Sequence, residues 1–426
     1  MLVKNLLGGG VGKAILILTS GSIIAQFLTI LVSPLLTRFY TPAELGVYTL
    51  ILTAESLFGS ILCGRYDVSI VSESDPKKVF PLIKLSLIIT LIFSTIATIG
   101  YGTYYFVANN EYQDFSYAVI FIFIMLIFNG LMRILEAYNN RYKEYKIMST
   151  VYVIKTTTQN LGAVILGFFK LGTIGLLISH TFGMLFGLKK QSTRIRQHLK
   201  EIRKSSKSEV LLVMKEHSNM LFYSVPATFA NRFSYTSIML FIESLYGLTV
   251  LGFYSISYKV LGLPLTVLST NISKVFFQEA SREYDKTGRF IKSFFRISVI
   301  LLILAVPMVL IMYYIAPIVF EVVFGPGWGN AGVYVQILAP MFGIRFIVNT
   351  VAYGLQIVKK QKQELGLQIL FITASVGCFI LSKIFMLKVN EFLFSITISF
   401  SLIYIIYYLI IMMYAYGNRG LDLHQK

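Results

Sequence analysis

The chain has 426 residues, of which 56% are hydrophobic and 14% charged, where a soluble domain carries roughly 25% charged residues. Its apolar residues come in runs of about eighteen or more, the length that crosses a bilayer as a helix, so a soluble globular protein is excluded. The net charge of +18 would suggest nucleic acid in a soluble chain. In a polytopic membrane protein it reflects basic loops on the cytoplasmic side, and no nucleic-acid partner is expected.

Twelve spans can be drawn, at about 13–36, 44–63, 79–106, 115–138, 146–169, 172–189, 218–242, 249–278, 291–316, 331–357, 365–386 and 391–415. Met1 to Lys13 lacks a cleavage-site pattern and the apolar run continues to Pro34, so the first span is expected to be retained. With both termini placed in the cytoplasm, 26 basic residues fall inside and three, Arg38, Lys170 and Lys388, fall outside. That asymmetry sets the expected orientation. The most polar stretch, Lys189 to His217, divides six spans from six. It reads as a solvated linker near anionic headgroups. The expected organisation is an N-terminal lobe at 1–190, a basic cytoplasmic linker at 191–217 and a C-terminal lobe at 218–426.

A weak internal repeat agrees with this division. Tyr40-x4-Leu45-Gly46-x-Tyr48 returns as Tyr246-x4-Leu251-Gly252-x-Tyr254. Further along, Lys77, Lys84, Ser86 and Arg133 match Arg289, Arg296, Ser298 and Arg345. Six spans per half give both halves the same orientation, as in parallel-repeat transporters. The fold class expected is therefore an all-α integral membrane protein, with two pseudo-symmetric six-helix lobes around a central cavity.

Charges that cannot easily leave the membrane are the candidates for chemistry. Lys84, Lys274, Arg296 and Lys383 lie near span ends, where snorkelling accounts for them. Lys155, Arg232, Lys259 and Arg345 sit near the middle of their spans, and Arg133 joins them through its repeat mate. A charge at such depth costs at least about 2.5–3.5 kcal/mol, so it should face water or a partner. Glu55 is the clearest acidic residue at similar depth and Glu136 lies nearer the cytoplasmic end. Several cations with few carboxylates favour an anionic ligand, because guanidinium groups match phosphate geometry. Glu55 either neutralises one cation or binds a coupling proton or sodium ion, and the neutralising role is preferred. Lys155-Thr156-Thr157-Thr158-Gln159-Asn160 adds polar lining, although such residues also bond between helices.

No phosphate-binding loop, paired-His motif or nucleophile elbow is present. The four histidines show no metal-ligand spacing, and Cys63 and Cys378 read as reduced structural thiols. The chain is not expected to be an enzyme, nor to carry a cofactor or metal; coupling to H+ or Na+ stays open.

Several motifs resemble those of bacterial polysaccharide-unit transporters. Arg38, Tyr40, Pro42, Gly46 and Tyr48 are followed one span later by Arg65, Tyr66 and Asp67. Then come Asn140-Arg141-Tyr142-Lys143-Glu144-Tyr145-Lys146, Leu251-Gly252-Phe253-Tyr254-Ser255, Val275-Phe276-Phe277-Gln278-Glu279-Ala280 and Phe324-Gly325-Pro326-Gly327-Trp328. The resemblance implies an O-antigen or capsule repeat-unit flippase of the multidrug/oligosaccharidyl-lipid/polysaccharide exporter superfamily. It implies translocation of undecaprenyl-pyrophosphate-linked oligosaccharide across the bacterial plasma membrane by alternating access, with membrane lipids and a polysaccharide polymerase complex as partners. Arg232, Lys259, Arg345, Lys155 and Arg133 would hold the diphosphate. The alternatives are a cation-coupled drug or metabolite exporter of the same fold, a peptidoglycan-precursor flippase and, from another class, a membrane glycan polymerase or ligase. The last usually needs a large external loop, which is missing here.

Overall fold

The structure, a computed structural model, describes the backbone of residues 10–108, 117–358 and 360–417. Side chains are described over 20–103 and 117–417 apart from 271, 359 and 361. Both termini, and with them Lys4, Arg419 and Lys426, lie outside the described residues, as do the side chains of Lys13 and Lys359.

Every regular element among the described residues is helical, as expected where hydrocarbon leaves backbone groups only internal partners. The first half comprises α1 (Gly10–Phe39), α2 (Pro42–Gly59), the short α3 (Tyr66–Ser72), α4 (Pro76–Ala108), α5 (Tyr117–Arg141), α6 (Tyr145–Phe168) and α7 (Gly172–Gln191). Two short helices follow, α8 (Leu199–Lys204) and α9 (Lys207–Glu216). The second half holds α10 (Val225–Pro264), α11 (Thr270–Thr287), α12 (Ile291–Val319), α13 (Gly329–Val351), α14 (Gly354–Ile357), α15 (Gln361–Phe385) and α16 (Val389–Ala415).

Among the described residues, eight stretches are long and apolar enough to cross a membrane. One of them, Met220–Thr287, contains two rods, because Gly247 (φ 82°, ψ 178°) breaks α10 into limbs 225–246 and 248–264. That backbone conformation is open to glycine and strained for any other residue. α2, α6 and α7 fall short of the same test for reasons visible in their sequences. α2 carries Glu44 and Glu55, α6 carries the Lys155–Asn160 polar run, and α7 carries His180 and ends on Lys189-Lys190. Each of the twelve predicted spans coincides with a helical rod among the described residues. π-helical turns at Met220–Ser224, Leu265–Ser269 and Phe320–Phe324 stand within a few residues of Pro226, Pro264 and Pro317, where a missing N–H interrupts the ladder.

The chain forms two compact units, Met1–Thr236 and Ser237–Lys426. The division falls inside α10, whose first limb touches α2 within the first unit. Arg232 Nε donates to the Ser56 carbonyl at 3.4 Å, and the Phe229 and Phe58 rings lie 6.3 Å apart. The basic stretch 191–217 contributes apolar residues to the core of the first unit. Ile195, Ile202, Val210 and Val213 join Tyr66, Ile70, Val79, Leu82, Ile134 and Tyr138 in one buried cluster.

In the first unit α6 packs between α1 and α7. Small residues make this approach close: Cβ atoms built at Gly21 and Gly183 would lie 2.2 Å from Ser149 Oγ and 2.3 Å from Gln159 Cγ. In the second unit α13 packs between α12 and α16 and is the most buried span. The resemblance motifs meet within each unit. Arg141 donates to carbonyls of Ile70 and Glu73 and so caps the end of α3. Trp328, 3% exposed, sits edge-on to Phe253 at 5.5 Å, joining the FGPGW turn to the LGFY motif.

Two outcomes follow from this packing. A Cβ at Gly332 would lie 2.6 Å from Pro317 Cα and 2.8 Å from the Ala316 carbonyl oxygen, both backbone atoms that cannot turn aside. Gly332→Ala should therefore cost about 1–3 kcal/mol, read as a lower melting temperature in detergent. Gly366→Ala, with no atom within 4 Å, should not lower it. The second outcome concerns Glu73, which accepts the Asp75 N–H and pairs with His217 at 2.9 Å; these contacts hold its carboxyl below the ordinary 4.5. A depressed carboxylate stabilises the fold fully above its unfolded value and loses that contribution as pH falls through the lower folded value. Hydrogen exchange over 207–216 should accelerate below about pH 4, and Glu73→Gln should remove that pH dependence.

Candidate functional site

α2 carries the acidic centre of the first unit. Its start is fixed by a capping box in which Thr41 accepts the Glu44 N–H at 3.3 Å and Glu44 accepts the Thr41 N–H at 2.7 Å. Eleven residues on, three turns along the same helix, Glu55 is 6% exposed. A carboxylate at that depth needs partners, and two neighbouring helices supply them. Asn129 of α5 donates its amide to Glu55 Oε1 at 2.7 Å, and His180 Nε2 of α7 lies 3.3 Å from Glu55 Oε2.

The contacts extend in both directions. On one side the Tyr48 hydroxyl lies 2.9 Å from His180 Nδ1. On the other, Asn129 Oδ1 accepts from Arg133 Nε at 3.3 Å, and Arg133 Nη1 stands 3.7 Å from Asp67 Oδ2. A continuous polar chain thus runs Tyr48, His180, Glu55, Asn129, Arg133, Asp67. Its Asp67 end opens into a cleft of about 350 Å³ bordered by Arg133, Glu136 and Asn140. Lys155 on α6 is half-buried. Arg232 reaches α2 at Ser56, the residue next to Glu55.

The second unit holds the remaining two cations. Arg345 on α13 donates to the Tyr258 hydroxyl at 3.2 Å and lies 5.3 Å from the Phe342 ring centre, within cation–π range. Lys259, half-buried, follows Tyr258 in the chain. The six sequence-predicted residues therefore fall into two groups: Glu55, Arg133, Lys155 and Arg232 in the first unit, Lys259 and Arg345 in the second. The repeat mates Arg133 and Arg345 differ in setting, one beside a carboxylate and the other against aromatic rings.

Sequence reasoning missed His180, Asn129, Tyr48 and Asp67 as members of this arrangement. His180 was weighed only for metal-ligand spacing; its signal was an imidazole in the middle of a predicted span. Asp67 stood in a recognised motif, but its partner lies 66 positions away in the chain. Glu243, 6% exposed on the first limb of α10, was also passed over. Of the cations assigned to snorkelling, Lys84 donates to the Ser205 carbonyl at 2.6 Å, and the exposed Arg296 stands 3.8 Å from Glu279.

The sequence matches the family described as polysaccharide biosynthesis protein over residues 35–332. No curated protein matches it in sequence. Among solved structures it is similar to a Lipid II flippase MurJ in an inward closed conformation, with TM-score 0.73, 14% identity, and 94% of this chain and 90% of that one covered. It is also similar to a multidrug resistance MATE family transporter of the MOP superfamily in an inward-facing conformation. There the TM-score is 0.71 and the identity 12%, with 93% and 98% covered. A third is a MOP superfamily transporter from Pyrococcus furiosus, whose structure is described by a reverse polarity of its binding pocket suggesting a different function. That pair has TM-score 0.66 and 13% identity, with 97% and 98% covered. At these identities the likeness shows the fold.

The Glu55 environment makes a stability prediction. His180→Ala leaves the buried Glu55 carboxyl with Asn129 but without its ring neighbour and should cost about 1–3 kcal/mol. Adding Glu55→Gln should recover most of that loss, since a neutral amide is cheaper to bury than a carboxylate. Thermal unfolding of the two single variants and the double variant in detergent measures the coupling.

Proposed function

This chain belongs to the polysaccharide biosynthesis protein family, and from that premise we propose that it is a flippase. It moves oligosaccharide repeat units linked to undecaprenyl pyrophosphate across the bacterial plasma membrane by alternating access. The observation that favours this cargo over an organic cation is the state of Glu55. A cation exporter would present its carboxylate to the cargo. Here that carboxylate is buried and taken up by Asn129 and His180, while Arg133, Lys155, Arg232, Lys259 and Arg345 remain half-buried or exposed.

The proposed mechanism uses those cations as follows. The basic ends of the rods and both termini face the cytoplasm, where the lipid-linked sugar is admitted from the inner leaflet. Arg232 and Arg345 engage phosphate oxygens through their planar forks, and Lys155, Lys259 and Arg133 add point or screened charge. The prenyl chain stays in lipid while the headgroup crosses by alternating access. Glu55 offsets the positive charge of the first unit when no diphosphate is bound. The catalysis of a covalent step is no part of this reading, and product use by a polymerase complex supplies directionality alongside any H+ or Na+ gradient.

The Lipid II flippase among the similar structures supports a lipid-linked cargo, and the Pyrococcus furiosus transporter supports one fold hosting pockets of different polarity. O-antigen, capsule and other exopolysaccharide units all fit the proposal. A peptidoglycan precursor is distinguished from them by complementation of a strain lacking its flippase.

Proteoliposome translocation of a lipid-diphosphate oligosaccharide tests the proposal. Each of Arg232→Ala and Arg345→Ala removes a charge-assisted contact worth about 1.5–3 kcal/mol, so each should weaken apparent affinity roughly 10- to 100-fold. Lys replacements should retain part of it, and Glu55→Gln should remain competent. Intact translocation in both alanine variants, normally inserted, would sink the reading. Cation efflux that fails in Glu55→Gln would favour the exporter.

A further inference from the structure

We propose that residues 199–216 form a membrane-surface anchor that binds anionic phospholipid headgroups. The placement of α8 and α9 carries the argument. Lys84 Nζ donates to the carbonyls of Ser205 and Arg203 at 2.6 and 3.3 Å, and Lys78 Nζ pairs with Glu216 at 2.7 Å. Lys78 and Lys84 lie six residues apart on α4, about 9 Å along its axis. The segment therefore lies alongside the first turns of a spanning rod, where headgroups meet acyl chains. Its inward side is secured by Ile202, Val210 and Val213 in the buried cluster with Val79 and Leu82.

The outward side is unlike that of a water-facing helix. Leu199, Leu211 and Leu212 are 55%, 48% and 52% exposed. On α9, Lys207, Leu211 and Lys215 recur every fourth residue, which aligns them in one stripe. Leu199 and Arg203 repeat that spacing on α8. The glutamates of α9 are engaged elsewhere: Glu209 closes a capping box with Ser206, and Glu216 pairs with Lys78. What remains outward is apolar surface flanked by five cations, Lys200, Arg203, Lys204, Lys207 and Lys215, against three exposed acids, Glu201, Glu209 and Glu216. Such a face suits an interface of anionic lipid: leucines enter the acyl boundary and lysine and arginine meet phosphate.

Trp328 is the sole tryptophan, so Trp328→Phe with Leu212→Trp in the full chain gives one reporter. The protein is reconstituted into phosphatidylcholine vesicles with or without phosphatidylglycerol, each with lipid brominated on the upper acyl chain. The expected result is blue-shifted, bromine-quenched emission that strengthens with phosphatidylglycerol. Arg203→Gln, Lys207→Gln and Lys215→Gln together should reduce it to the phosphatidylcholine level. A nitroxide on Leu212→Cys, with Cys63 and Cys378 both buried, should show the same dependence in its oxygen accessibility without altering Trp328. Water-like emission and full iodide quenching in every vesicle would overturn the proposal and leave the face to a protein partner. Bromine quenching indifferent to phosphatidylglycerol would overturn the headgroup assignment.

Discussion

Inside hydrocarbon a backbone amide or carbonyl has no water to turn to, and this governs where the chain bends. Several interruptions of the rods have a local remedy. The turn before α2 closes through the reciprocal Thr41–Glu44 bonds. The end of α3 is capped by the Arg141 guanidinium, and the C-terminal carbonyls of α8 are met by Lys84. Several of the basic residues that make the loops so positive are thus structural donors, each joining elements distant in sequence.

The same scarcity of partners decides what the interior charges can do. Glu55 is tolerated because Asn129 and His180 converge on it from two other helices. Arg133 is balanced by Asp67, and Arg345 rests on aromatic rings. These settings are unequal, which is why the second half does not duplicate the first in its chemistry. The repeat keeps the architecture instead. Tyr40 and its mate Tyr246 each donate to a backbone carbonyl within their own unit, of Ala163 at 2.7 Å and Leu387 at 3.0 Å, and Leu45 and Leu251 are both buried.

At the first turn of each half the same bend is made by different means. Thr41 adopts an extended conformation (φ −72°, ψ 159°) and caps α2 with its side chain. Its counterpart Gly247 turns with φ 82° and uses no side chain at all. A capping box and a left-handed glycine are alternative solutions to one problem, the reversal of a rod at a membrane face. That explains how Arg38 and Pro42 could be absent from the second copy without loss of the fold.

The sequence by itself determined the class of protein, the position of each rod, the half-chain repeat and the family, because hydropathy, charge bias and turn residues act over short distances. It also picked out Glu55 and the five cations by their depth in apolar runs. Tertiary structure alone decided their partners, since Glu55 meets residues 74 and 125 positions away and the Asp67–Arg133 pair bridges two helices that periodicity cannot align. It also decided the boundary of the first unit. Composition marks 191–217 as a polar tether, but burial of Ile202, Val210 and Val213 against α4 ties it to the first unit. Local pattern reports what a residue can do; the helix opposite it determines what it does.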